Sequence, residues 1–218
     1  MNIKSYISSL IRSKGKHSFI RHLKKCSSIL DIGCSDTGAQ LINKFRPDIN
    51  YTGIDICETN SLTTNNSNKI IVSSANNFHK TIEAIDTKYD AIVCSHNIEH
   101  CNDYINTTLA MIKVLKKNGL IYISFPCAES EYFPNNKGCI NFYEDKTHKN
   151  LINYHDYIKL LKTNGLNIKY ASRRYRPIIP FIIGLLFEPI SIITRKLAPA
   201  GGTWALYGFE TILIAQKI

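Results

Sequence analysis

Apolar segments of strand length alternate with amphipathic segments between residues 28 and 165. Five apolar segments are rich in Ile, Val, Leu and Tyr and predict strands over 28–33, 51–56, 69–74, 89–95 and 120–125. Apolar positions spaced three and four residues apart predict helices over 38–45, 104–117 and 155–164. Strands that are apolar on both faces and alternate with helices indicate an open, parallel α/β sheet with helices on both sides.

The pattern changes after Gly165. Two further strands are predicted over 166–174 and 209–215, without a helical crossover of the usual kind between them. This order indicates an antiparallel pair of strands at one edge of the sheet.

The segment 177–194 is unusually apolar, with Glu188 as its one charged residue. Pro180 and Pro189 interrupt it, and it is short for a helix that spans a membrane. We therefore expect residues 177–200 to form a lid over a ligand pocket or a dimer face. The alternative is an interfacial segment that rests on a membrane surface.

The positive charge of the chain is concentrated at its two ends. The 218 residues include 27 Lys and Arg against 17 Asp and Glu, a net charge of +10. Residues 1–25 carry seven basic residues and no acid, and residues 169–218 carry seven basic residues and two acids, so the centre is slightly acidic. A nucleic-acid enzyme would have a basic stripe across its active face, and no nucleic-acid partner is expected here. Basic ends favour contact with an anionic surface such as phospholipid head groups or an acidic glycan.

Residues 1–27 differ in pattern from the rest of the chain. Apolar positions at helical spacing among basic residues predict a basic amphipathic helical segment, broken near Gly15 and followed by one domain over 28–218. The segment lacks the apolar core of a secretory signal. Seven cysteines without a C-x-x-C pair argue against a zinc ribbon and, as reduced thiols, indicate a cytoplasmic protein, with or without membrane association.

The turn after the first predicted strand is rich in small residues. Residues 30–38 are LDIGCSDTG, in which Gly33 and Gly38 fit a G-x-G-x-x-G frame with Ser35 at its middle position. Asp55 ends the second predicted strand, where a carboxylate accepts hydrogen bonds from the hydroxyls of a ribose. Asp31 would repel a pyrophosphate but tolerate a cationic nucleoside, so these residues favour S-adenosylmethionine over NAD.

At this point the chain resembles the class I S-adenosylmethionine-dependent methyltransferases of the small-molecule or saccharide type. The resemblance covers residues 28–170 and rests on four ordered blocks: LDIGCSDTG, YTGIDI, YDAIVCSHNIEH and VLKKNGLIYISFP. It implies a Rossmann-like, doubly wound, seven-stranded and mostly parallel sheet with an antiparallel last strand. It also implies that S-adenosyl-L-methionine is the cofactor.

The resemblance implies the role of each cofactor-binding position. The first turn would hold the methionine part, Asp55 the ribose, and Ile56 would lie beside the adenine. Ser74 and Ala75 follow the third strand, where the family often has an acid. Ser95 and His96, after the fourth strand, would form the wall near the sulfonium. The expected cofactor-binding residues are Asp31, Gly33, Cys34, Ser35, Gly38, Asp55, Ile56, Ser74, Ala75 and Ser95.

Transfer of a methyl group to a hydroxyl requires removal of the hydroxyl proton, and histidine is the commonest base for this task. His148 follows the fifth predicted strand in the segment DKTH, and Asp145 three residues earlier could fix its tautomer. His100 follows the fourth strand. We expect His148, Asp145 and His100 to carry the chemistry, although His148 could equally cap the following helix.

Other interpretations stay open from the sequence. Asp145, His148 and His155 could bind a metal, but their spacing lacks a ligand signature, and no metal is expected. The acceptor would be a small molecule or a glycan, the latter in polysaccharide biosynthesis. A nucleotide-binding oxidoreductase and a non-catalytic S-adenosylmethionine-binding protein are the alternative functions, and a homodimer is a further expectation.

Overall fold

The computed structural model describes residues 13–35, 42, 45–57, 69–135 and 140–218. Seven strands form one sheet in the order β3-β2-β1-β4-β5-β7-β6. The strands are β1 (Ser28–Ile32), β2 (Asn50–Asp55), β3 (Lys69–Val72), β4 (Tyr89–Ser95), β5 (Leu115–Pro126), β6 (Leu166–Ser172) and β7 (Glu210–Lys217).

The sheet confirms the predicted Rossmann-like topology. The pairs from β3 to β5 are parallel, whereas β7 is antiparallel to both β5 and β6. The last strand therefore enters the sheet between its two neighbours, and the antiparallel pair lies at one edge as predicted.

Six helices of the described part cover the sheet or extend from it. They are α1 (Lys16–Arg21), α2 (Phe78–Glu83), α3 (Tyr104–Val114), α4 (Tyr154–Thr163), α5 (Ile178–Thr194) and α6 (Gly202–Tyr207). Asp103 caps α3 and Asn153 caps α4, each accepting hydrogen bonds from backbone amides of the first helical turn. The predicted helix over 38–45 lies mostly outside the described residues.

Two sequence-based boundaries are wrong. The helix predicted over 104–117 ends at Val114, because Leu115 has an extended backbone, is fully buried and pairs with Tyr89 in the sheet. The irregular register between Leu115 and Leu120 lets β5 begin five residues earlier than the apolar pattern indicates. The connection between β6 and β7 also differs from the expectation, because it contains helices, including the 17-residue α5.

Apolar side chains fill both faces of the sheet. One cluster joins the inner faces of α2, α3 and α4 to the strands, and Tyr157 and Met111 are fully or almost fully buried in it. The other cluster includes Phe19 and Ile20 of α1 against Tyr122 of β5. The described part of segment 1–27 therefore packs on the sheet, whereas the amphipathic pattern over residues 1–11 lies outside the described residues.

Helix α5 is attached to the domain through α6. Gly184 approaches Gly202 so closely that a Cβ on Gly184 would lie 2.2 Å from the Gly202 carbonyl oxygen. Tyr207 of α6 also donates a hydrogen bond of 2.5 Å to Glu188. Among the described residues, no helix is both long and apolar enough to cross a membrane.

We predict that Gly184→Ala destabilises the contact between α5 and α6. Alanine favours a helix by about 1 kcal/mol over glycine, but its Cβ cannot fit against the Gly202 backbone, and overpacking costs about 1–3 kcal/mol. Hydrogen exchange of the α5 and α6 amides should therefore become faster. Ile182→Ala, which changes a half-exposed position of the same helix, is the matched control. Unchanged or slower exchange in Gly184→Ala would show that the two helices are not held by this contact.

Candidate functional site

The carboxyl ends of β1, β2 and β4 meet at one edge of the sheet. Gly33, directly after β1, has a φ of +70°, and a Cβ there would lie 2.2 Å from the Asn97 side-chain nitrogen. A glycine is therefore required both by the backbone conformation and by the loop after β4. The amides of this turn donate to β2, at the Ile54 carbonyl and the Asp55 carboxylate, so the turn is fixed at the sheet edge where α/β folds bind nucleosides.

Asp31 is completely buried beneath this turn. Both of its carboxylate oxygens lie 3.0 Å from the Lys16 ammonium, and the Tyr51 hydroxyl donates a hydrogen bond of 3.1 Å to it. Burial and the Asp31 charge raise the pKa of Tyr51 far above its usual range, so this hydroxyl remains a donor. Because Lys16 balances the charge of Asp31, repulsion of a pyrophosphate by this carboxylate is weaker than the sequence alone indicates.

Asp55 lies at the end of β2 and connects to the turn after β1. One of its oxygens accepts a hydrogen bond of 2.9 Å from the Ser35 amide, and the other accepts one of 2.7 Å from the Ile56 amide. The Cys57 amide adds a longer contact of 3.3 Å, so one of the about four lone-pair sites of the carboxylate remains for a ribose hydroxyl. The half-exposed Asp55 and the exposed Ile56 side chain present a polar and an apolar group next to each other.

The other expected cofactor residues differ in accessibility. Cys34 is buried, burial raises the pKa of its thiol to about 11, and its sulfur lies against the backbone of Gly53. Ser74 and Ala75 are exposed after β3, and the Ser95 hydroxyl lies 3.0 Å from that of Ser124. Gly38 lies outside the described residues.

A cavity of about 260 Å³ opens at the same edge of the sheet. Its walls come from α1, the end of β4, α6 and the start of β7. The lining residues are Gly15, Lys16, His17, Ser95, His96, Trp204 and Glu210. Sequence analysis identified Ser95 and His96. It missed the rest, because residues 15–17 were assigned to a separate segment and Trp204 and Glu210 follow the apolar insertion.

His96 lies between two carboxylates at this cavity. Its Nδ1 is 3.2 Å from Glu99 Oε1, and its Nε2 is 3.4 Å from Glu210 Oε1. Burial alone would lower the pKa of His96, but the carboxylates of Glu210 and Glu99 raise it to about 10. The imidazole is therefore a cation at neutral pH and cannot act as a base. It has a φ of +51°, and its ring stacks on Phe209.

Glu99 connects this cavity to a second polar cluster. One potential ligand atom each from Glu99, His100 and His148 lies within 4.8 Å of those of the other two residues. The two imidazole rings have centroids 4.7 Å apart. The Glu99 carbonyl accepts hydrogen bonds from the amides of Lys149 and Asn150 at 2.8 and 3.0 Å, which brings the two segments together.

Hydrogen bonds fix the tautomers of both histidines. His148 Nδ1 lies 2.6 Å from the Phe142 carbonyl oxygen, which can only accept, so Nδ1 carries the proton. The Thr147 hydroxyl donates to Asp145 at 2.6 Å and must therefore accept from His100 Nδ1 at 2.9 Å. In the neutral form, each ring keeps a lone pair on Nε2.

These contacts decide three possibilities that the sequence raised. Asp145 does not set the His148 tautomer, because the nearest approach is 3.9 Å to Nε2, and it instead orients His100 through Thr147. His148 does not cap the following helix, because Asn153 does. His155 is exposed on α4 and does not join the cluster, so the metal set of Asp145, His148 and His155 does not form.

We predict that Asp55→Ala weakens binding of S-adenosylhomocysteine by about 2–4 kcal/mol, because bound hydroxyls lose their charged acceptor. Isothermal titration calorimetry measures the affinity. Asp86→Ala, which removes an exposed carboxylate elsewhere, should bind as the wild type does. A folded Asp55→Ala chain with wild-type affinity would overturn the assignment of this residue.

Comparison with known proteins places this geometry in a family. The profile described as a methyltransferase domain matches residues 6–171, more than half of the chain. The ubiquinone biosynthesis O-methyltransferase of Rickettsia akari (strain Hartford) is 33% identical over 106 residues, which are 48% of this chain and 41% of that protein. The chain thus matches about two fifths of the length of this relative.

Solved structures share the fold over nearly the whole chain. A SAM-dependent methyltransferase from Archaeoglobus fulgidus is 21% identical, with a TM-score of 0.60 over 98% of this chain and 94% of that one. The plantazolicin methyltransferase BpumL, in complex with a triazolic desmethylPZN analog and SAH, is 18% identical, with a TM-score of 0.61 over 99% and 86%.

The profile match favours a methyltransferase over the nucleotide-binding oxidoreductase that the sequence left open. It covers the turn after β1, the acid at the end of β2 and the segment after β4. The chain therefore belongs to the methyltransferase-domain family.

Proposed function

We propose that this chain is an S-adenosylmethionine-dependent methyltransferase of class I that transfers the methyl group to a hydroxyl oxygen of a small molecule or glycan. The observation that carries the proposal is the pair His100 and His148, each with its Nδ1 proton engaged and an Nε2 lone pair retained. The name of the Rickettsia akari relative, an O-methyltransferase, supports an oxygen acceptor.

Bound S-adenosylmethionine supplies a methyl group that is already electrophilic, so the protein must align the acceptor and exclude water. A hydroxyl is a poor nucleophile until its proton is removed or its oxygen is coordinated. An imidazole lone pair can accept that proton directly, or it can ligate a cation that polarises the oxygen. Both routes require the Nε2 atoms that the structure keeps available.

The surroundings of His148 suit this task. Its side chain is only 7% exposed, and its ring lies against Phe142, with centroids 4.6 Å apart. An apolar neighbour and a fixed tautomer limit competing contacts with water. His96, held as a cation between Glu99 and Glu210, forms the wall on the donor side.

We predict that His148→Ala lowers kcat by about 10²–10⁴ and leaves affinity for S-adenosylhomocysteine nearly unchanged. The loss follows because the acceptor hydroxyl is no longer activated. Methyl transfer from labelled S-adenosylmethionine to hydroxylated small molecules and oligosaccharides measures the rate. Asp145→Asn should give a smaller loss, since it weakens only the Thr147 contact that orients His100.

His155→Ala is the matched control, because this histidine is exposed on the neighbouring helix. Nearly full turnover in His148→Ala would remove the histidine pair from the reaction. Transfer to amines but to none of the hydroxyl acceptors would contradict the proposed oxygen chemistry.

We further propose that α5 rests on an anionic membrane surface. Large apolar side chains are more than a third exposed along its length: Ile178, Ile179, Ile182, Leu185, Leu186, Phe187, Ile190, Ile192 and Ile193. Exposed basic residues lie just before and after the helix, at Arg176 and at Arg195 and Lys196. An apolar face between cationic ends is complementary to acidic lipid head groups. A cytoplasmic location, which the six free cysteines of the described part support, completes the proposal.

We predict that the wild-type chain sediments with phosphatidylglycerol-containing vesicles and that salt weakens this binding. The double variant Leu186→Glu and Ile193→Glu should abolish it, because two charges would enter the apolar face. Ile105→Glu on α3, also an exposed apolar position, is the control.

Two outcomes would contradict the membrane proposal. Loss of a dimer in the double variant, without vesicle binding by the wild type, would make α5 a dimer face. A changed KM for a soluble acceptor, again without vesicle binding, would make it a lid.

A further inference from the structure

We propose that Glu131, Tyr132 and Tyr143 form a subsite for an uncharged saccharide beside the histidine pair. We call these three residues the tyrosine platform. The platform narrows the acceptor of the proposed function to a glycan and rests on that function only for the methyl transfer itself. Binding of a saccharide to the platform can be measured without any transfer.

Two tyrosine side chains of the connection between β5 and α4 are open to solvent. Tyr132 is 82% exposed and Tyr143 is 64% exposed. Among the described residues between β5 and His148, no other large apolar side chain is strongly exposed. Two rings are too few for a stable protein interface, which buries about 800 Å² on each partner. They match one or two sugar rings in size.

The Glu131 carboxylate lies between the two tyrosines. The Tyr143 hydroxyl donates a long hydrogen bond of 3.5 Å to it. A hydrogen bond to Glu131 and the charge of this carboxylate raise the pKa of Tyr132, so the Tyr132 hydroxyl lies at the same group. Within the described part of the chain, no basic side chain forms an ion pair with Glu131. The platform therefore favours a neutral hydroxylated ligand over an anionic one.

This combination of groups is complementary to a saccharide. One face of a pyranose ring carries C–H groups with a partial positive charge, and an aromatic ring presents a negative face to them. The hydroxyls at the rim of the sugar can donate to a carboxylate, whose charge strengthens these hydrogen bonds. A simple aliphatic alcohol offers the second contact without the first, and a phosphate group would meet the Glu131 charge.

Asn141 holds the two parts of the platform in one arrangement. It is buried, and its side-chain nitrogen donates to the carbonyls of Glu131 and Phe133 at 3.0 and 2.7 Å. Its side-chain oxygen accepts a hydrogen bond of 2.9 Å from the Tyr143 amide. A site that is already ordered loses less conformational freedom when a ligand binds. The platform is therefore built before the saccharide arrives.

The platform lies next to the proposed base. The Tyr143 ring packs edge-on against Phe142, and the Phe142 ring packs in turn against His148. These two steps of 5.4 and 4.6 Å place the Tyr143 ring no more than about 10 Å from the His148 ring. A disaccharide spans this distance. A sugar unit stacked on the tyrosines therefore leaves a hydroxyl of the neighbouring unit within reach of His148 Nε2.

Saturation-transfer NMR measures binding without turnover. The full-length chain, saturated with S-adenosylhomocysteine, is mixed with neutral di- and trisaccharides of glucose, galactose, mannose, rhamnose and N-acetylglucosamine. We expect at least one of them to bind, with the strongest saturation on the C–H protons of one sugar face. Sulfated forms of the same saccharide should bind more weakly, because the Glu131 carboxylate repels them.

Variants locate the bound saccharide. Tyr132→Ala and Tyr143→Ala should each weaken binding about fivefold, the order expected for one lost aromatic contact. Tyr143→Phe should lose less, since it keeps the ring. Glu131→Gln should reduce the preference for neutral over sulfated saccharides. Ile105→Ala, at an exposed apolar position of α3, is the control and should bind as the wild type does. Circular dichroism confirms that each variant is folded.

Kinetics separate the platform from the chemistry. Tyr143→Ala should raise KM for a saccharide acceptor and leave kcat nearly unchanged, because the stacked unit is not the reacting one. It should not change KM for a small hydroxyl acceptor without a sugar ring. His148→Ala should instead lower kcat and leave saccharide binding unchanged.

Three results would overturn the platform: no binding of any saccharide in the set, wild-type affinity in the folded Tyr132→Ala and Tyr143→Ala variants, or binding of sulfated saccharides alone. Methyl transfer to hydroxyl compounds without saccharide binding overturns the platform and leaves the proposed function standing. Saccharide binding at the tyrosines without transfer to any hydroxyl overturns the proposed function and leaves the platform standing.

Discussion

The ion pair between Lys16 and Asp31 joins three parts of the domain that the donor site needs. Asp31 is in β1, Lys16 is the first residue of α1, and the Tyr51 hydroxyl reaches the same carboxylate from β2. A fully buried carboxylate that lost one of these donors would retain an uncompensated charge, which is strongly destabilising. The position of α1, and with it the Gly15–His17 wall of the cavity, therefore depends on this contact.

A second set of contacts fixes the position of the two histidines, His100 and His148, relative to the cavity. The segment after β4 and the segment before α4 are far apart in sequence, yet the Glu99 carbonyl binds two successive amides of the later segment. The Asn150 side chain adds a hydrogen bond of 2.6 Å to the Cys101 carbonyl. Glu99 also contacts His96 at the cavity. His100 and His148 are therefore connected to the cavity by backbone hydrogen bonds and by the contact between Glu99 and His96.

The strands of the sheet could be predicted because each is marked by a pattern of neighbouring residues in the sequence. Each central strand is a short apolar run, and Gly33 and Asp55 lie at strand ends, where parallel topology brings them together. The end of α3 was not predictable, because Leu115 leaves the helix to pair with Tyr89, a contact far away in sequence. Lys16 and Glu210 were missed for the same reason, since their partners come from distant segments. Sequence spacing predicted His148 as the partner of Asp145, whereas the structure has Thr147 in that place. This difference depends on side-chain geometry, which residue spacing does not specify.

Trp204 is an intrinsic fluorophore in the wall of the cavity. It is the single tryptophan of the chain, and its ring lies 5.7 Å from that of His96 and 4.8 Å from that of Phe209. Tryptophan fluorescence of the unmodified protein therefore comes from one place, the wall of the cavity. An imidazolium at this distance is a natural quencher, so the emission intensity reports on the ring pair itself. Because α6 also packs against α5, the same emission follows any movement of the apolar helix relative to the pocket.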